Sequence, residues 1–251
     1  MIYYDRLVKS EAIKIQKTKN AFGKELEFII QICNYFLILP FSVGKLCDDS
    51  DLNAVKLQDA FQCYIYDVPF KIRSIYKLLE IANYSDASIL LRTLIESTIV
   101  YKFYISRNDG NGLADYILRK SHRTIKDIME AVLPNYYDSV YASLCQHTHG
   151  NFITQTIFRA NVASGDLTTN IENINSKWFY YISNQTLSIV PCILEMYDTV
   201  FPNNTMSDSF ELTNSRKYIV STITKFLDKS IDNDDKKETF YHYYKQLINL
   251  K

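Results

Sequence analysis

Two of the chain's four histidines, His147 and His149, lie close together in the segment CQHTHG at 145–150. An imidazole exchanges its proton near neutral pH, so a neutral ring can act as a base and a protonated ring as an acid. A cationic His in the last turn of a helix that ends at Gly150 is also favoured by the helix dipole, and that alone would explain the pair. Rings two residues apart face different sides of a regular helix and no third ligand is evident nearby, so a metal site is the less favoured interpretation.

A basic run, LRKSHRTIK at 118–126, holds Arg119, His122 and Arg123. Guanidinium groups bind phosphate in bidentate fashion and offset negative charge that develops in a transition state. Asp115 and Asp127 each lie four residues from one of these arginines, as they would on a solvated helix face with ion pairs one turn apart. Taken alone, the run therefore favours an exposed helix over a phosphate site.

A third candidate is the pair Arg92 and Glu96, one helical turn apart in a stretch that is apolar nearly all round, 89–103. A helix without a polar face is typically a central one, so we expect both charges to point at protein. Burying either charge alone is costly, and we therefore expect an ion pair. The pair is either structural, fixing the helix register, or part of a functional site, and a cleft beside it would distinguish the two.

A turn centred on Pro134 predicts that the helices before and after it form an antiparallel hairpin. Residues equidistant from the turn then face each other, which matches His147 with Ser121 and His149 with Arg119. The far end of the hairpin would gather His122, His147, His149, Arg119 and Arg123.

This predicted cluster suits metal-independent cleavage of RNA. One neutral imidazole would take the proton of the 2′-hydroxyl, and a second, protonated, would donate to the leaving 5′-oxygen. The arginines would hold the phosphate. The same cluster could instead bind a nucleotide or another anionic ligand without cleaving it.

The composition and the apolar pattern together predict the fold class. The chain has 251 residues, 47% of them hydrophobic, which excludes a wholly disordered protein. Only 6 Gly and 5 Pro argue against a turn-rich β-sandwich. Apolar residues recur every three or four positions almost throughout, so we expect one all-α domain over 1–251, a bundle of about seven to eight helices. The polar stretch 151–175 is a candidate mobile loop.

Individual residues are expected to mark the helix boundaries. Gly23 is a possible weak point in the first helix, and Pro40 lies near its end. Pro69 should kink the second helix, because proline removes a backbone donor. Asn83 has the chemistry of an N-cap for the third helix, and Pro134 separates a fourth helix from a fifth.

Charge and cysteine content limit the partners. Lys+Arg (28) equals Asp+Glu (28), so no global positive field exists, and any nucleic-acid partner must meet a local patch. Five scattered Cys suggest neither a disulfide framework nor a zinc ribbon, and we expect no metal or other cofactor. The start has no signal-peptide core, and the apolar run 28–43 is short and carries polar residues. We therefore expect a cytoplasmic protein that has no membrane partner.

The stretch from Tyr84 to Gly150 resembles the bacterial all-helical proteins grouped as HEPN-like, several of which serve in phage defence or as toxins. The likeness lies in the central LLRTLIES helix at 90–97, the later helix closing in HTHG, and the all-α plan. It implies an RNA- or nucleotide-related helical protein that forms a homodimer. Active HEPN ribonucleases carry an Arg, four to six residues and then a His, brought together across that dimer. Here Arg119 precedes His122 by only three positions, so that motif is not matched.

The leading hypothesis is an endoribonuclease of phage defence or of a toxin system. His147 and His149 would exchange protons, and Glu96 would be their orienting partner. The expected ligand-binding residues are Arg92, Arg119, His122 and Arg123. The alternative is a non-catalytic helical interaction module, in which the histidines are helix-end residues and exposed helix faces bind a protein partner or a second copy.

Overall fold

The computed structural model describes residues 2–42, 50–142, 144–145, 174, 176–202 and 210–230. These residues are mostly helical and contain no strand, so the predicted all-α fold is confirmed. A 3₁₀ turn (Leu39–Ser42) and a π-helical turn (Tyr137–Tyr141) accompany the α-helices. In chain order these are α1 (Ile2–Ile38), α2 (Leu52–Glu80), α3 (Tyr84–Ile105), α4 (Gly110–Ile117), α5 (Ile125–Val132), α6 (Ser176–Ser188), α7 (Val190–Val200) and α8 (Phe210–Ser230). The predicted loop at 151–175 lies outside the described residues apart from Ile174, and the last predicted helix near 240–247 lies outside them entirely.

Helix α3 is the centre of the bundle, as its apolar pattern predicts. It packs against α2, α4, α5, α6 and α7. Its buried side chains come from all around the helix and include Leu91, Leu94, Ile95, Ile99 and Phe103. A helix enclosed in this way fixes the position of any polar group it carries, because its backbone has no room to shift.

Most predicted boundary residues act where expected. Helix α1 bends at Phe22 (φ −131°, ψ 25°), next to Gly23, and ends two residues before Pro40. The Asn83 side chain accepts the Asp86 N–H at 3.4 Å and caps α3. Helix α2 continues through Pro69 from Leu52 to Glu80.

The predicted fourth helix is wrong as one continuous element, because the chain leaves the helix over residues 118–124, here called the 118–124 segment. Helix α4 ends in a Schellman motif: the Arg119 N–H donates to the Tyr116 carbonyl at 3.0 Å and the Lys120 N–H to the Asp115 carbonyl at 2.8 Å. Helix α5 then begins at a capping box between Thr124 and Asp127. The predicted helix from Trp178 to Val200 divides similarly, into α6 and α7.

The N-terminal stretch Val8–Ser42 is long and apolar enough to cross a membrane by length and composition, the one such helix in the described part of the chain. Its most apolar window has a mean hydropathy of 1.3, and 56% of that window is buried inside the protein. The core helix of a soluble protein has the same properties. Phe28, Ile32 and Phe36 pack in the core, so the described part of the apolar run 28–43, residues 28–42, contributes to a helix buried along one face.

Candidate functional site

A surface cavity of about 480 Å³ lies among α3, α4 and the 118–124 segment, and it is here called the α3–α4 cavity. Three residues predicted for the site line it: Glu96 from α3, and Arg119 and Arg123 from the 118–124 segment. Its volume falls within the range of roughly 300–1,000 Å³ found for small-molecule sites. The remaining lining residues are Thr93, Ser97, Val100, Tyr101, Tyr116, Ile117 and Ser121.

Arg119 reaches the cavity from a left-handed backbone conformation, with φ at 57°. This is the C′ position of the Schellman motif, which glycine usually occupies, since a Cβ there costs roughly 1–2 kcal/mol. Arg119 is exposed and forms no ion pair within the described ranges. Its charge is therefore available to a ligand.

Arg123 is positioned by an aromatic ring. Its guanidinium carbon lies 5.3 Å from the ring centroid of Phe103, a buried residue of α3, and its backbone N–H donates to Ser121 Oγ at 3.2 Å. The guanidinium of Arg107 lies on the same ring at 3.8 Å. A guanidinium held by a ring face keeps its N–H donors for other partners. Arg123, like Arg119, is in none of the ion pairs among the residues that the structure describes.

Arg92 and Glu96 form the predicted ion pair, with Arg92 Nε 2.9 Å from Glu96 Oε1. Tyr141 completes the group: its hydroxyl donates to the same Glu96 oxygen and accepts from Arg92 Nε at 3.0 Å. The expectation that both charges are enclosed by protein needs correction, because the side chains are 23% and 30% exposed. The pair lies at the edge of the α3–α4 cavity, and Glu96 belongs to both.

The three hydrogen bonds of this group leave one carboxylate oxygen of Glu96 unused. Arg92 and Tyr141 both bond to Oε1, and no described residue bonds to Oε2. If Oε2 were buried, it would be one of the buried polar atoms without a partner in the described part of the chain, and it is not. Solvent or a ligand can therefore reach it. The residues that line the cavity thus carry one carboxylate, with Oε2 unbonded among the described residues, and two guanidinium groups.

Two further side chains respond to the charge of Glu96. Burial raises the pKa of the Tyr116 hydroxyl, and the Glu96 carboxylate and Tyr104 raise it further. Tyr116 is therefore a neutral hydroxyl in the cavity. Burial also raises the pKa of the Cys145 thiol, with Arg92 acting to lower it and Glu96 to raise it, so Cys145 lies close to this ion pair.

The predicted histidine cluster is not placed by the described residues. His147 and His149 follow Cys145 by two and four positions and lie outside those residues. His122 is exposed and does not line the cavity. The predicted register assumed a helix continuous from 119 to Pro134, and that assumption is wrong because α4 ends at Ile117 and α5 begins at Ile125. The match of Arg119 with His149 itself stays a prediction, because His149 lies outside the described residues.

Several cavity residues were missed by the sequence analysis. Thr93, Ser97 and Val100 lie three or four positions from Glu96 or from each other on α3, so helical spacing from Glu96 would have found them. Tyr116 was hidden among 20 tyrosines. Tyr141 is 45 positions from Glu96, and only the tertiary packing brings the two together.

The chain matches no protein-family model, no curated protein and no solved structure. Among the described residues, no group of three or more His, Cys, Asp or Glu is arranged to hold a metal ion. The side chains that line the cavity offer two guanidinium groups that form no ion pair with any described residue, a carboxylate held on one oxygen, and a neutral phenol.

Proposed function

We propose that the protein binds single-stranded RNA, with a phosphate on Arg119 and Arg123 and the attached nucleoside in the α3–α4 cavity. The observation that carries this proposal is the pair of guanidinium groups that line one cavity and have no ion-pair partner within the described ranges. The residues that line the cavity carry two positive charges, on Arg119 and Arg123, and one negative charge, on Glu96, while Asp127 interacts with Arg123 from outside the cavity. A chain with no net charge can attract a polyanion only through such a local excess.

The backbone at Arg119 supports a role in binding. A glycine at this left-handed position would be less strained, but it would carry no charge. Strained residues of this kind cluster at functional sites, where the surrounding structure holds them in place. The backbone hydrogen bonds of the Schellman motif that ends α4 keep Arg119 in this conformation.

The size of the cavity supports a single-stranded ligand. A volume of about 480 Å³ is of the order of one nucleotide, and a duplex would not expose its bases to such a site. Single-stranded RNA can turn one base out of the stack and place it against aromatic or polar side chains. Tyr101 and Tyr116 line the cavity, so a base would meet aromatic side chains there, although one face of the Tyr101 ring is already stacked on Tyr64.

Every residue of the α3–α4 cavity falls inside the stretch Tyr84 to Gly150, where the chain resembles HEPN-like proteins. We propose on this ground that it is a HEPN-like cytoplasmic protein of phage defence or of a toxin system, acting as a homodimer. His147 and His149 would supply the acid and the base of a metal-independent cleavage. Glu96 would be their orienting partner.

We expect Arg119→Gly and Arg123→Ala each to weaken the binding of a 12-nucleotide single-stranded RNA by at least about tenfold. A hydrogen bond to a charged group contributes about 1.5–3 kcal/mol, which sets this scale. Each substitution should also lower the salt dependence, by about 0.7 in the slope of log K against log salt. Fluorescence anisotropy at several salt concentrations measures both quantities.

The matched control is Lys120→Ala, which removes one positive charge from the same segment but from a residue that does not line the cavity. Its affinity for RNA should stay within about twofold of wild type. Arg119→Gly relieves the left-handed backbone, so its unfolding midpoint should not fall, and weaker binding cannot then be ascribed to unfolding. Equal losses for all three variants would contradict a site at the cavity.

For the proposed cleavage, we expect purified protein to cut tRNA or mRNA equally well with and without EDTA. His147→Ala and His149→Ala should each slow cleavage about a hundredfold, the usual contribution of a general acid or base. His242→Ala is the control, since it is the one histidine outside the stretch 118–150. The melting temperatures of all variants should be unchanged.

Failure of the wild type to cut RNA that it binds would remove the catalytic part of the proposal and leave RNA binding. If the wild type neither binds nor cuts RNA, the non-catalytic protein-interaction module becomes the better account of the fold.

A further inference from the structure

We infer that Glu96 makes the cavity selective for ribonucleotides over deoxyribonucleotides by accepting a hydrogen bond from the ribose 2′-hydroxyl. This inference rests on the proposed binding of RNA in the α3–α4 cavity. It concerns a different contact, because the proposed function places the phosphate on Arg119 and Arg123, whereas selectivity depends on a carboxylate on the opposite element, α3.

The donors around Glu96 determine how many contacts it can still make. A carboxylate oxygen has two lone pairs, and Oε1 already accepts from Arg92 Nε at 2.9 Å and from the Tyr141 hydroxyl. Oε1 is therefore saturated. Only Oε2 remains, and its two lone pairs would serve the proposed orienting contact to a histidine and one contact to a ligand.

A single accepting oxygen excludes the paired contact to guanine and leaves single donors, which are the ribose 2′-hydroxyl and the exocyclic amino groups of cytosine and adenine. A carboxylate that reads guanine uses both oxygens, one for each of two parallel N–H donors, and Oε1 is not available for that arrangement. A phosphate would be repelled by the carboxylate and attracted to the arginines. The 2′-hydroxyl is the group that lies between phosphate and base along an RNA strand and donates one hydrogen bond.

Arg92 and Tyr141 act as positioning residues for this contact. Their bonds to Oε1 fix the rotation of the carboxylate, and α3 is enclosed by its neighbours, so Oε2 has a defined position. Because the Glu96 side chain is 30% exposed, water can replace the hydroxyl when the ligand is DNA. The expected selectivity is therefore about tenfold, which is well below the discrimination of a fully enclosed site.

The experiment compares three 12-nucleotide single strands of one sequence: RNA, DNA, and RNA with 2′-O-methyl groups, which lack the donor. Anisotropy should give wild-type affinity for RNA about tenfold above that for either of the others. In Glu96→Ala the three affinities should converge to within about twofold. Losing the negative charge of Glu96 would raise the affinity for every anion. The ratio between two strands is measured within one variant, so such a general gain does not change it.

The outcomes separate this inference from the proposed function. Equal binding of all three strands by the wild type, with Arg119→Gly weakening all of them, would leave the phosphate site standing and overturn ribose selection. A preference for RNA that Glu96→Ala leaves unchanged would overturn the role of Glu96. If no strand binds, both proposals fail. The wild-type comparison needs no variant, so the inference stays testable even if Glu96→Ala does not fold.

Discussion

Glu195→Ala should lower the free energy of unfolding by about 3 kcal/mol, the lower end of the range for breaking a buried ion pair. Lys102 lies on α3 with its side chain only 5% exposed, and its Nζ is 3.0 Å from Glu195 Oε2 on α7. Truncating Glu195 leaves an ammonium group in the core without its counter-charge. Burial raises the pKa of the adjacent Cys192 thiol to about 12, so this neighbour is neutral and cannot replace the lost carboxylate.

Replacing Lys102 instead of Glu195 should lower the free energy of unfolding far less. Lys102→Met keeps the length of the side chain and removes the buried charge. The Glu195 side chain is 29% exposed, but its Oε2, which faces Lys102, is buried, so the carboxylate must turn to reach water. Removing one partner of an ion pair is costly to the extent that the remaining charge stays buried, and the Glu195 side chain is more exposed than that of Lys102, so we expect a smaller loss, of about 1 kcal/mol. Urea denaturation of both variants measures the difference. Similar losses in the two variants, or a loss below about 1 kcal/mol in Glu195→Ala, would contradict the conclusion that Glu195 compensates a buried charge on Lys102.

The contacts that could be predicted are those between residues close in sequence. Arg92 and Glu96 lie one turn apart, and their ion pair is found. The apolar pattern around them correctly predicted that α3 is central. Lys102 follows from the same pattern as a residue of a buried helix, but its partner Glu195 lies on α7 and carries no sequence signal that links it to α3.

The break at 118–124 shows why the cavity could not be predicted. A helix end is usually marked by glycine at the left-handed position, and here that position holds Arg119. The apolar spacing continues across the break, from Leu113 and Ile117 to Ile125 and Ile128, and so favours one long helix. Thr124 and Asp127 carry the one local signal, a capping box, that would have placed the start of α5.

This break also brings the arginines to the cavity. On a continuous helix, Arg119 and Arg123 would lie one turn apart beside Asp115 and Asp127, as a solvated surface with ion pairs. In the observed segment neither arginine forms an ion pair with these aspartates among the described residues, although Arg123 still helps to lower the pKa of the Asp127 carboxyl, and both arginines line the cavity with Glu96. The charge pattern that favoured an ordinary surface helix was therefore misleading, since it assumed a helical backbone.

Gly110→Ala should lower the free energy of unfolding by about 3 kcal/mol, the upper part of the usual range for overpacking. A Cβ at Gly110 would lie 2.1 Å from the backbone oxygen of Asn53 and 3.1 Å from Leu57 Cγ. Helix α4 cannot easily move away, because the Gly110 N–H donates to Asn53 Oδ1 at 2.7 Å and Asn53 Nδ2 donates to the Asn108 carbonyl at 2.6 Å. Relief of the clash would break these bonds.

Gly23→Ala is the matched control, because a Cβ at Gly23 meets no atom within 4 Å. Alanine has the higher helix propensity, so its stability should be unchanged or raised by up to about 1 kcal/mol. Urea denaturation of both variants makes the comparison. A Gly110→Ala protein as stable as Gly23→Ala would mean that α4 is not locked to α2 by Asn53.

Gly110→Ala should also affect the candidate site, because α4 connects Gly110 to the turn that carries Arg119. Its first residue, Gly110, is fixed to α2, and the turn after its last residue, Ile117, carries Arg119. Displacing the start of this short helix shifts its other end, because an eight-residue helix moves as a rigid rod. At a temperature where Gly110→Ala remains folded, we therefore expect weaker RNA binding, whereas Gly23→Ala should bind as the wild type does.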